Sequence, residues 1–189
     1  MANGTLKVSN IQTSSGSGTI TIGQSGETIS IPSGCTITNS GTQTGFGGDN
    51  KPYFHVKGNK TLTGDNVAQK LDLDTTVIDS ASLLDSSNNK LVIASAGKYF
   101  ISYGIGGTID NFADELQTFR GYLYKNGSSF YQAKHSDSGT NPGEANYVSA
   151  SFVMDLAAND YLELYALNDV TGSNYCDCYE HLTGFKIIE

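Results

Sequence analysis

Apolar and polar residues alternate along this chain in two different ways. Between residues 18 and 48 the alternation is sparse and repetitive. Thr19-Ile-Thr-Ile-Gly-Gln-Ser-Gly26, Thr28-Ile-Ser-Ile-Pro-Ser-Gly34 and Thr36-Ile-Thr-Asn-Ser-Gly41 share a Thr-Ile unit that runs into a glycine turn and recurs every seven to nine residues. Period-two alternation predicts one short strand per unit, with Ile20, Ile22, Ile29, Ile31 and Ile37 on one face. A stripe that thin cannot bury itself within one chain. Repeats of this kind become stable by stacking on neighbours or by wrapping around copies of themselves. Three chains about one axis would turn the isoleucines inward as the core of a β shaft and leave Ser and Thr outside. The alternative is a flexible Gly/Ser/Thr linker, but linkers lack periodic large apolar residues.

From residue 49 onward the pattern is denser. Alternating runs separated by turn signals predict strands over 53–57, 67–73, 76–78, 90–93, 97–105, 118–125, 129–135, 146–155, 161–168 and 178–188. Asn126-Gly127 is the cleanest hairpin signal, because Asn-Gly accepts the positive φ angles of a type I′ turn. The best helical candidate, residues 112–117, is too short to stand alone. About ten strands in this space predict an antiparallel sandwich, most simply a jelly roll. The expected organisation is an anchor segment over 1–17, a repetitive trimeric β shaft over 18–48 and an all-β head over 49–189.

Composition agrees with β structure: the 189 residues include 22 Gly, 11 Tyr and no Trp. The net charge of −8 supplies no basic footprint, which argues against nucleic acid as a partner. The N-terminus lacks the basic and apolar regions of a secretory signal, and no apolar run is long enough to span a bilayer. The expectation is a protein assembled in a host cytoplasm that leaves by some other route, without membrane insertion. Cys35, Cys176 and Cys178 are an odd, unevenly placed set, read as reduced thiols rather than a disulfide framework.

Several segments of the head resemble a known family. Pro52-Tyr-Phe-His-Val, Lys70-Leu-Asp-Leu-Asp-Thr-Thr-Val-Ile-Asp79 and Asp85-Ser-Ser-Asn-Asn-Lys-Leu91 resemble the opening of a C1q-like domain. Ala96-Gly-Lys-Tyr-Phe-Ile-Ser-Tyr103, the Lys-Asn-Gly hairpin at Leu123-Tyr-Lys-Asn-Gly-Ser128, Leu156-Ala-Ala-Asn-Asp-Tyr-Leu-Glu-Leu164 and Thr183-Gly-Phe-Lys-Ile-Ile188 follow in that family's order. Asn159 departs from the pattern where the family often has Gly, and Cys176-Asp-Cys178 matches no family feature. The resemblance implies a ten-stranded C1q/TNF-like antiparallel jelly-roll head that forms compact homotrimers. The first residues are similar to the start of structural proteins from marine bacteriophages, which implies a capsid or tail fibre anchored through its N-terminal segment.

No catalytic constellation is legible, and no cofactor is expected. Gly23-Gln-Ser-Gly26 sits in a repeat turn, not a nucleophile elbow. Ala96-Gly-Lys-Tyr99 has no phosphate-binding glycine loop before it. His55 and His181 fall on the first and last head strands, which neighbour each other in the family, and a structural role is expected for them. Cys176, Cys178 and His181 are weak candidates for a metal, since zinc sites usually space their cysteines more widely. Acids at Asp110, Asp114 and Glu115, and at Asp155, Asp160 and Glu163, are read as solvated loop acids, with calcium as the alternative. Recognition is expected in loops 108–116, 136–145 and 169–177, with Phe112, Tyr147 and Tyr175 as aromatic contacts to a host surface glycan or protein. The expected function is a non-enzymatic, trimeric virion structural protein that attaches to a host or decorates the particle. The alternative is a secreted or surface C1q-like bacterial adhesion module.

Overall fold

The computed structural model describes residues 9, 11–13, 18–38, 40, 50–109, 115–136, 145–172 and 175–187. The chain divides into two units, Met1–Thr44 and Gly45–Glu189.

The second unit holds eleven strands among the described residues: β1 (Tyr53–Leu62), β2 (Gln69–Lys70), β3 (Thr75–Asp79), β4 (Leu84–Asp85), β5 (Lys90–Val92), β6 (Gly97–Thr108), β7 (Glu115–Lys125), β8 (Ser128–Ser136), β9 (Ala145–Leu156), β10 (Tyr161–Thr171) and β11 (Cys176–Lys186). They form two antiparallel sheets, one ordered β3-β1-β11-β6-β9 and one ordered β4-β5-β10-β7-β8 with β2 on β10. Alternation does the rest. Phe54, Val56, Tyr99, Ile101, Tyr103, Ile105 and Leu182 of the first sheet meet Leu91, Phe119, Leu123, Leu162, Leu164 and Ala166 of the second in one buried core.

Two local details show how closely the sheets are fitted. Gly121 lies where any Cβ would come within 2.8 Å of both Val148 and Ile105, so the two sheets meet there without a side chain between them. Tyr103 donates to the Gly121 carbonyl at 3.3 Å, and burial pushes its phenol up to about 12. A buried hydroxyl needs such a partner.

The strand expected over 67–73 shrinks to β2, for a physical reason. Leu71 N–H donates to the Leu164 carbonyl of one sheet and Asp74 N–H to the Lys57 carbonyl of the other. The segment therefore crosses between sheets, and the Asp72 carbonyl passes so close to Gly58 that a Cβ there has no room. The expected short helix is absent from its described part, where Glu115 opens β7.

The turns follow the sequence signals. Asn126 and Gly127 both take positive φ, 53° and 76°, as a type I′ turn demands. Asn159, the departure from Gly, takes φ 71°, a left-handed conformation that Asn tolerates. These two turns are bolted together. Asn126 Nδ2 donates to Asp160, its Oδ1 accepts from Tyr161 N–H, and Lys125 pairs with Asp160 at 2.9 Å. Bonds from Asn126 and Lys125 hold the Asp160 carboxyl down to about 2.

In the first unit, residues 18–38 contain no strand. They run extended between turns closed by Glu27 N–H to Gln24 and Cys35 N–H to Pro32. Gly26 and Gly34 occupy the positive-φ corners. Ile20, Ile22, Ile29, Ile31 and Ile37 are 43–65% exposed. Among the described residues the strands expected there find no partner for their backbone groups, and a ladder needs one. Most of the expected anchor segment, and the shaft beyond residue 40, lie outside the described residues.

Candidate interaction surface

The outer face of the β3-β1-β11-β6-β9 sheet is the least ordinary surface of the head. Register places its outward side chains in rows that run across four strands. The first row is Tyr53, Phe185, Phe100 and Val153, with the two phenylalanine rings 5.4 Å apart. The second is His55, Thr183, Ser102 and Ser151, where Ser151 and Ser102 hydroxyls bond at 2.8 Å. The third is Lys57, His181, Gly104 and Ser149, and the fourth is Asn59, Tyr179, Gly106 and Tyr147.

The face thus grades from an apolar end, through hydroxyls, to a hollow of about 440 Å³ lined by His55, Lys57, Tyr147, Tyr179 and His181 among others. Glycine makes that hollow. A Cβ at Gly104 would collide with the Tyr147 hydroxyl and the His181 ring, so Tyr147 folds flat over the sheet only because position 104 carries no side chain. The His55 and His181 rings stand edge to face at 6.0 Å. Burial, and then the neighbouring His55, lowers the pKa of His181.

Glu180 lies on the opposite side of β11. It is 3% exposed, and neither carboxylate oxygen has a hydrogen-bond partner. Burial, reinforced by the charge of Asp72, pushes its pKa up to about 8. A carboxyl in that setting is neutral at pH 7.

A second apolar patch adjoins the first row. Where β8 and β9 close the edge of the sandwich, Phe130 and Tyr131 are about half exposed and pack at a tilt against Phe152, with ring centroids 5.6 and 5.5 Å apart. Val153, the last residue of the first row, is exposed beside them.

The residues singled out in the sequence separate. Tyr147 and Tyr175 are exposed, but Tyr147 belongs to the sheet face and not to a loop end. Phe112 lies outside the described residues, as do Asp110, Asp114 and the tips of the three expected recognition loops. Cys176 and Cys178 are buried, facing the core from β11, and the contact with Cys176, followed by burial, raises the Cys178 thiol. His181 projects from the other face of that strand, so the three cannot share one ion. Among the described residues no group of three His, Cys, Asp or Glu side chains is placed to hold a metal. Glu163 is taken up by Lys70 at 2.6 Å and Asp160 by Lys125, so these acids do not gather around a cation.

The aromatic row itself escaped the sequence reading. Its signal was three successive large residues, Tyr99-Phe100-Ile101, in a strand whose partners alternate. The middle one has to face outward.

No protein-family profile matches the chain, and no curated protein does. Solved structures do match. The globular domain of zebrafish complement 1qA protein superposes with a TM-score of 0.54 and 15% identity, over 74% of this chain and 99% of that one. The Eiger TNF of S. frugiperda superposes with a TM-score of 0.51 and 14% identity, over 74% and 95%. The head is therefore an all-β, C1q/TNF-like jelly roll.

Proposed function

We propose that this chain is a non-enzymatic structural protein of a bacteriophage particle, a capsid fibre or knob or a tail-associated fibre, that assembles as a homotrimer. The observation that carries the reading is the pair of apolar patches on one head: the sheet face ending in Tyr53, Phe185, Phe100 and Val153, and the edge bearing Phe130 and Tyr131. A face patch and a different edge patch mate head to tail, and such contacts generate a ring when the rotation closes. Serine and glycine in the middle rows let a neighbour approach closely. Closure covers the β8–β9 edge, which would otherwise invite uncontrolled pairing.

The uncovered isoleucines of residues 18–38 call for the same remedy, since three copies would bury stripes that one chain leaves in water. One three-fold symmetry serves both regions. In this reading residues 1–17 bind a capsid or tail protein, and the head presents its loops to a host surface glycan or protein, or simply decorates the particle.

Light scattering on the full chain is expected to give three times its 20.1 kDa mass, and a stable monomer would defeat the trimer. Phe100→Asp with Phe185→Asp is expected to yield a folded monomer. Mass spectrometry of purified particles is expected to find the chain, and its absence from intact virions would defeat the structural role.

A further inference from the structure

The middle of the sheet face concentrates positive charge that can be switched on. His55, His181 and Lys57 meet there, the two rings at 6.0 Å and Lys57 directly across from His181. The Lys57 ammonium has no ion-pair partner among the described residues. Glu180 lines the same hollow from the reverse side of β11, and no other carboxylate stands near them in the register. From β3 come Thr75 and Ile78, from β6 Ser102 and Gly104, and from β9 Ser149 and Tyr147. β11 adds Tyr179 and, on its reverse side, the neutral Glu180. The acids behind this edge are engaged elsewhere: Asp72 pairs with Lys60 at 3.1 Å, and Asp74 accepts from the Thr75 hydroxyl at 2.9 Å. The face's own carboxylates stand at its ends, Asp177 across from Thr61 and Thr108, and Asp155 across from Lys98.

We propose that this cluster makes assembly acid-sensitive: protonating His55 and His181 beside Lys57 charges the closed interface between heads and separates them. The inference rests on the trimer proposed above. Its sign follows from where the proton is better solvated. A neighbour laid over the face removes water from both imidazoles, whereas a released head returns it. The separated form therefore takes up protons more readily as the solution is acidified, and the assembled form is lost. Burial already lowers the His181 pKa in the single head, in the same direction.

The test is sedimentation of the full chain at pH 7.5 and pH 5.0, with circular dichroism in parallel. Native protein is expected to be trimeric at pH 7.5 and to dissociate reversibly at pH 5.0 with its β signal intact. The His55→Gln, His181→Gln double variant is expected to stay trimeric at both. A native trimer that survives pH 5.0 with an unchanged half-dissociation concentration overturns the inference, and so does a double variant that dissociates like the native chain. Dissociation accompanied by loss of the β signal also overturns it, because general acid unfolding is then the cause. A monomer already at pH 7.5 sinks the trimer itself, which is a separate and recognisable outcome. Should the double variant not fold, Lys57→Gln takes its place. Removing that fixed charge must shift the dissociation midpoint to lower pH, and an unmoved midpoint overturns the inference.

Discussion

Residues 18–38 and the head are written in the same alternating code and end in opposite conditions. In the head each sheet's inward apolar stripe meets another one, because a second sheet from the same chain covers it. Phe54, Tyr103 and Phe119 are essentially without exposure. In residues 18–38 the isoleucines alternate as regularly, yet all five stand in water, since the segment holds one thin stripe and nothing to lay against it. Alternation says that a segment can be a strand. The number of stripes per chain says whether it can be one alone. At about 2 kcal/mol for each isoleucine taken from full exposure to full cover, and with about half of each side chain still exposed, the five represent about 5 kcal/mol per chain that association could recover.

That contrast can be broken most severely in the head. Phe119→Ala opens a cavity between the sheets, beside Gly107 and Cys176, and is expected to lower head stability by about 3–5 kcal/mol, read from a denaturant midpoint. The counterpart in the first region, Ile29→Asp with Ile31→Asp, is expected to leave that midpoint unmoved while weakening the trimer by about 2 kcal/mol per chain. Unchanged trimer stability after the second change would make residues 18–38 a linker.

A smaller effect follows from Glu180. Its pKa in the fold, about 8, lies above that of a free carboxyl, so the folded state holds the proton more tightly than the unfolded state does. The resulting stabilisation is complete below about pH 4.3 and is lost as pH rises through 8. Glu180→Gln, which cannot ionise, is expected to melt higher than the native head at pH 9, and the two are expected to converge towards pH 5. Parallel melting curves at both pH values would contradict this.

The smallest expected change is Asn126→Ala, which strips the bonds joining two turns and puts a Cβ-bearing residue without a polar side chain at positive φ. About 1–2 kcal/mol of head stability is expected to go, measurable as a shift in melting temperature, with no change in the first region.

Most of the sandwich was legible because strands of the head obey a period of two, and because Asn126-Gly127 marks a turn whose φ angles are as its chemistry requires. Segment 67–73 was misread as a strand since Leu71 and Leu73 alternate correctly. What the alternation could not carry was that the chain changes sheets between them, a fact set by Gly58 across the gap. The interaction face was only half legible. His55 and His181 could be placed on neighbouring strands, but the aromatic row depends on the register of β1, β11, β6 and β9, and register is not written in any one strand. Phe100 and Phe185 lie in segments far apart in sequence and become one surface only once β11 is inserted between β1 and β6.

That insertion also sets a timetable. Thr61 of β1 bonds to Asp177 of β11, 116 positions further along the chain, and among the described residues β11 alone joins β1 to β6. Ribosomes add roughly 5–20 residues per second, so β1 emerges on the order of ten seconds before the strand it must pair with. During that interval Phe54 and Val56 have no finished sheet to enter, and the nascent head cannot close. A strand made long after its partners is the keystone of the fold.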